Sequence, residues 1–122
     1  MTLVKDTYLL TEGFPKREWY GLTAQMRRAA VSIPANIAEG KGRLTAGDYA
    51  RFVMIARGSL RELQTQFELS ILLGYADADR IRPLEMLADE TAAMLTRLGR
   101  ALGRPEAGGP RPAAPTGWPG RS

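Results

Sequence analysis

Apolar residues recur at helical spacing over most of the first hundred positions, and four separate stripes can be traced. Leu3, Thr7, Leu10 and Phe14, with Val4 and Tyr8 beside them, predict a first helix over residues 2–12, closed by Gly13 and Pro15. At ~1.5 Å per residue it is only about 16 Å long. Its stripe begins with no capping residue to its left, the pattern expected of a trimmed or misassigned start. Leu22, Met26, Ala29, Ile33 and Ile37 follow at steps of four, three, four and four, predicting a second helix over residues 17–40 that ends at Gly40 and Gly42. Ala24, Val31 and Ala35 carry apolar character onto a second face. Pro34 removes a backbone donor and crowds the preceding turn, which predicts a kink or loosening over residues 30–36.

Thr45 followed by Asp48 has the spacing of a capping-box-like start, so a third helix begins near Ala46 and runs to Gly74. Phe52, Ala56, Ser59, Leu63, Phe67 and Ser70 form one stripe, and Val53, Leu60 and Ile71 a second, predicting the most central helix. Gly58 costs such a helix about 1 kcal/mol relative to alanine, a cost that some close packing should offset. The fourth helix has the cleanest pattern: Ile81, Leu84, Ala88, Thr91, Leu95, Leu98 and Leu102 alternate three and four, a coiled-coil-like seam fading at Gly103. Pro83 fits if it lies in the first turn. No strand-like alternation occurs. The reading is all-α: an antiparallel up-down-up-down four-helix bundle over residues 1–103, followed by a disordered Gly/Pro-rich tail over 104–122 in which Trp118 is solvated. The extra apolar arcs on helices two, three and four predict self-association.

Composition removes most catalytic chemistry. The 122 residues make one domain and contain no cysteine and no histidine, so a disulfide framework, a thiol nucleophile and the commonest general base and zinc ligand are absent. The apolar runs fall short of the ~20 residues that span a bilayer, and residues 1–11 lack the layout of a secretory signal, so no membrane partner is expected and a cytoplasmic location is. The formal charge of +4 is unevenly placed: residues 16–61 hold nine bases and three acids, residues 62–106 five bases and eight acids. A basic half of this kind attracts phosphate, or pairs with the acidic half within or between subunits.

The Gly40, Lys41, Gly42 run is an interhelical turn, because a phosphate-cradling loop needs a longer spacing after a strand. Glu39, Glu62 and Glu68 show no paired catalytic or metal-binding spacing, and no cofactor or metal site is expected. The basic residues are the candidate chemistry: Arg27, Arg28, Lys41, Arg43, Arg51, Arg57 and Arg61 come from two consecutive helices, and guanidinium groups suit bidentate phosphate contacts. The competing account pairs Arg27, Arg28 and Arg57 with Glu39, Glu62 or Glu68. Trp19, Tyr20 and Tyr49 are the nearby aromatics, too few for sequence-specific readout.

The run F-P-K-R-E-W-Y-G-L-T-A-Q-M-R-R-A-A-V-S-I-P-A-N-I-A-E-G-K-G-R at residues 14–43, then R-F-V-M-I-A-R-G-S-L-R-E-L at 51–63 and L-L-G-Y at 72–75, resembles the four-helix-bundle proteins called 23S rRNA-intervening-sequence proteins. The resemblance implies a homopentamer of antiparallel bundles and brings no catalytic residue with it. It extends to the accessory variability determinant proteins of diversity-generating retroelements, and so implies nucleic acid and a reverse transcriptase as partners. The short first helix and the Gly/Pro tail depart from the family pattern. Two functions remain open: a non-enzymatic oligomer binding nucleic acid, RNA rather than DNA, through backbone phosphates, or a protein-interaction scaffold whose arginines are structural.

Overall fold

The computed structural model describes residues 2–103. The expected tail over 104–122, with Trp118, lies outside the described residues. Four helices follow in order: α1 (Thr2–Glu12), α2 (Leu22–Lys41), α3 (Ala46–Leu72) and α4 (Ala78–Leu102), with a 3₁₀ turn at Lys16–Glu18 between the first two. Helix α1 packs on α2 and α4, and α3 packs on the same two helices, so α1 and α3 sit on one diagonal of a four-helix bundle.

Local chemistry sets the helix ends. The Thr45 hydroxyl accepts the Asp48 N–H at 3.0 Å and the Asp77 carboxylate accepts the Arg80 N–H at 2.8 Å, so α3 and α4 are each side-chain capped. At the far end of α3, Gly74 takes φ +78°, which allows the Tyr75 N–H to reach the Ser70 carbonyl and the Gly74 N–H the Ile71 carbonyl. This paired bonding closes the helix and turns the chain into α4.

The core is built from the expected stripes. Leu3, Met26, Ile33, Leu60, Leu63, Phe67, Ile81, Leu84 and Leu95 are fully enclosed. The buried Thr7 and Thr11 hydroxyls of α1 donate to the Leu3 and Thr7 carbonyls one turn back, so neither is left unpaired. Between α2 and α3 the Ser32 and Ser59 hydroxyls meet at 2.8 Å and fix the register of the pair.

Four expectations change. The second helix does not begin at Arg17: the chain makes a 3₁₀ turn and a corner at residues 19–21 before α2 starts at Leu22. Helix α2 runs unbroken through Pro34, where a kink or loosening was expected, and the Asn36 side chain donates to the Ser32 carbonyl at 2.8 Å in the turn around the proline. Pro83 is not in the first turn of α4 but one turn further in, on an exposed face. Gly58 meets no atom within 4 Å of an added Cβ, so nothing in its own chain offsets its cost; close packing falls at Gly40 instead, whose Cβ would lie 2.7 Å from the Tyr49 ring and 3.0 Å from Phe52.

With 11 residues against 27 in α3, helix α1 covers less than half the length of the bundle. A groove lined by Thr2, Leu3, Leu87, Glu90, Thr91 and Met94 opens where it begins.

The two glycines have opposite expected behaviour. Gly40→Ala forces α2 and α3 apart and is expected to cost about 1–3 kcal/mol in urea unfolding. Gly58→Ala is expected to add about 1 kcal/mol to the protomer. A loss at Gly58 would instead mark it as a contact between copies.

Candidate nucleic-acid interface

The corner between α1 and α2 is held by Glu18. One carboxylate oxygen accepts the Leu22 N–H at 3.0 Å, satisfying an orphan donor at the start of α2, and the other accepts the Tyr75 hydroxyl at 2.7 Å. Gly21, the residue before α2, has no side chain to cap with; a Cβ there would sit 2.7 Å from the Glu18 oxygen. Phe14 packs against Tyr75 with ring centroids 5.4 Å apart, and the Arg17 guanidinium lies 5.8 Å from the Tyr75 ring. The Leu22 N–H bond, then the Tyr75 hydroxyl and nearby Arg17, hold the Glu18 carboxyl below its ordinary range. The same bond to Glu18 raises the Tyr75 phenol.

This corner turns Trp19 and Tyr20 outward, and Arg27 of α2 rises beneath them. Its guanidinium carbon lies 4.4 Å from the Tyr8 ring centroid and 5.1 Å from that of Trp19. Its Nε donates to the Thr11 hydroxyl at 2.9 Å and a terminal nitrogen to the Tyr8 carbonyl at 3.3 Å. Arg27 is thus a clamp between α1, the corner and α2, held by aromatic rings and uncharged oxygens and not by the acids with which the structural account paired it.

A second cluster lies at the opposite end of α2, around its turn into α3. Arg43 pairs with Glu39 at 2.8 Å, and Arg51 lies 3.8 Å from Asp48. Both stack near Phe52, at 4.7 and 5.4 Å. Lys41 is exposed in the last turn of α2. These are surface pairs of small net worth.

Arg28, Arg57 and Arg61 are exposed, and among the described residues none has an ion-pair partner. Among the described residues the proposed pairing of Arg27, Arg28 and Arg57 with Glu39, Glu62 or Glu68 does not occur: Glu39 is taken by Arg43, and Arg27 by the rings. Arg57 and Arg61 share a face of α3 with Gln64, which donates to Asp89 of α4, so that face leans toward α4 and away from Arg28 on α2. The seven basic candidates are therefore scattered: Arg27 at the corner, Arg28 exposed on α2 beside it in sequence, Lys41, Arg43 and Arg51 around the α2–α3 turn, and Arg57 and Arg61 on the α4 side of α3. Sequence reasoning missed Tyr8 and Thr11, whose spacing on one face of α1 is the only signal that they meet a common partner.

The arrangement is chemically simple. Among the described residues no group of three or more acidic side chains converges as a metal site would require. No described helix is long and apolar enough to cross a membrane. Fold and site together define a basic, arginine-studded helical bundle. The chain belongs to the 23S rRNA-intervening sequence protein family, which matches residues 1–97. Comparison with curated proteins finds no match.

Glu18→Gln should lower Tm near neutral pH, because an amide oxygen caps α2 less well than a carboxylate. The folded carboxyl titrates below its ordinary 4.5, so its contribution is present above that value and lost as pH falls through the lowered one. The gap in Tm between wild type and Glu18→Gln should close on acidification; a gap independent of pH would show that the charge is not what matters. Arg27→Ala removes both hydrogen bonds and the stacking and is expected to cost about 1–3 kcal/mol in urea unfolding. Arg27→Lys should recover little of it, lacking the planar fork.

Proposed function

We propose that this protein is a non-enzymatic homo-oligomer, a pentamer as the family resemblance implies, that binds nucleic acid through backbone phosphates in the cytoplasm. The observation that carries this reading is the exposure of Arg28, Arg57 and Arg61 without carboxylate partners among the described residues. Unpaired guanidinium groups are available to phosphate at no cost in broken ion pairs. Lys41 is exposed beside Arg43 and Arg51, whose surface pairs exchange readily for phosphate. In a ring of subunits, these scattered basic groups repeat into an extended basic surface, and weak contacts add through avidity. RNA is favoured over DNA by the resemblance alone.

Self-association is supported by apolar side chains left on the outside. Val31 is 42% exposed on α2, while Met54, Ile55, Leu69 and Leu72 are 46%, 37%, 39% and 79% exposed on α3. The same residues support the second reading, a protein-interaction scaffold, to which the likeness to accessory variability determinant proteins adds a reverse transcriptase as partner.

Binding of mixed-sequence RNA and DNA measured against salt separates the two. The first reading expects log affinity to fall linearly with log salt concentration. Arg57→Ala with Arg61→Ala should weaken binding to every sequence and reduce the slope by about one for each phosphate no longer neutralised. Absence of binding at low salt sinks the nucleic-acid reading and leaves the scaffold.

A further inference from the structure

We propose that Trp19 and Tyr20 form a stacking ledge for the unpaired bases of single-stranded nucleic acid. This rests on the nucleic-acid reading above and extends it from phosphates to bases. Three observations carry it. The first is exposure: Tyr20 is 91% and Trp19 54% open to solvent, at a corner whose other aromatics, Phe14 and Tyr75, are packed. Aromatic rings of this size leave water only when something covers them.

The second is that the Trp19 half of the ledge is already built. The Trp19 ring lies 5.1 Å from the Arg27 guanidinium, which also lies 4.4 Å from the Tyr8 ring and which the Thr11 hydroxyl and the Tyr8 carbonyl hold by hydrogen bonds. Glu18, one residue before Trp19, is fixed at both oxygens, so the backbone that carries the two rings is anchored too. A surface ordered in advance loses little entropy when a flat ligand settles on it.

The third is charge. Lys16 and Arg17 lie in the turn just before the rings, and Arg28 is exposed next to Arg27, whereas the Glu18 carboxylate is engaged by Leu22 and Tyr75; Glu12 is the exposed acid on the neighbouring end of α1. Flat π faces edged by cations match a base flanked by phosphates better than they match an aliphatic protein surface. The strand must be single, because a paired base already stacks on its neighbours and cannot lie on an indole. Tyr49, the third aromatic candidate, is excluded: it is half-buried against Gly40 at the far end of α2.

The chain has two tryptophans, so Trp118→Phe leaves Trp19 as the sole indole reporter. We would titrate that full-length variant with oligouridine and with a duplex RNA of equal length at low salt, following emission and anisotropy. The single strand should quench Trp19 and the duplex should not. Tyr20→Ala, at a position too exposed to disturb folding, and Trp19→Ala, checked by circular dichroism, should each weaken single-strand binding by about 5- to 150-fold. Duplex affinity and the salt slope should stay unchanged, since every basic side chain that meets a phosphate is still present, and Trp19→Phe should keep most of the affinity. Single-strand binding with unaltered Trp19 emission and no loss in Tyr20→Ala overturns the ledge while leaving phosphate binding intact. No binding of either RNA removes both readings. Loss of self-association in Tyr20→Ala, read by light scattering, overturns the proposal in favour of a contact between protein copies.

Discussion

The two-handed contact of Glu18 is the joint on which this bundle turns. One carboxylate caps α2 and accepts the Tyr75 hydroxyl, so the link from α1 to α2 is tied to the turn from α3 to α4, far away in sequence. Without it α2 would begin with an uncapped glycine. At Gly21 the capping carboxylate lies where a Cβ would be, so a side chain there would have to displace it. The same corner leaves residues 19 and 20 exposed and brings Trp19 to Arg27.

The arginines of the basic half fall into kinds that charge counting cannot separate. Arg27 is a packing residue, its cation attracted by π faces and its donors satisfied by neutral oxygens. Arg43 and Arg51 hold local ion pairs and lie against Phe52. Arg28, Arg57 and Arg61 do neither. An interface built from such a chain depends mainly on the third kind, and the neighbouring Arg27 and Arg28 show how adjacent residues on a helix, about 100° apart, meet different surroundings.

The helices were legible in the sequence because each carries its own periodicity and, for α3 and α4, its own cap. The stripe Ile81, Leu84, Ala88, Thr91 and Leu95 is buried as read, as are Val53, Leu60, Leu63 and Phe67. The entry into α2 was not legible, since apolar spacing says nothing of a 3₁₀ turn whose Glu18 is held by Tyr75 from a distant part of the chain. Ala50 and Gln66 are buried outside the expected stripes, and Phe52 and Ser59 are only half-buried within one, because α3 has neighbours on two sides and its buried arc follows both. For the candidate site, the sequence supplied the residue types, but which arginine meets a ring, an acid or water depends on contacts between helices that lie far apart in the chain.

Helix α1 is held by the two helices it packs on, with Leu3, Thr7, Leu10 and Thr11 buried against them. Helices α2 and α3, joined by a four-residue turn and tied at Ser32 and Ser59, and α4 behind them form a unit that local contacts alone can assemble. Undocking α1 would expose the faces of α2 and α4 that it covers. It would also strip Tyr8 and Thr11 from Arg27 and uncover the side of the core that Leu3 and Leu10 seal. The aromatic corner therefore keeps its shape only as long as α1 stays docked.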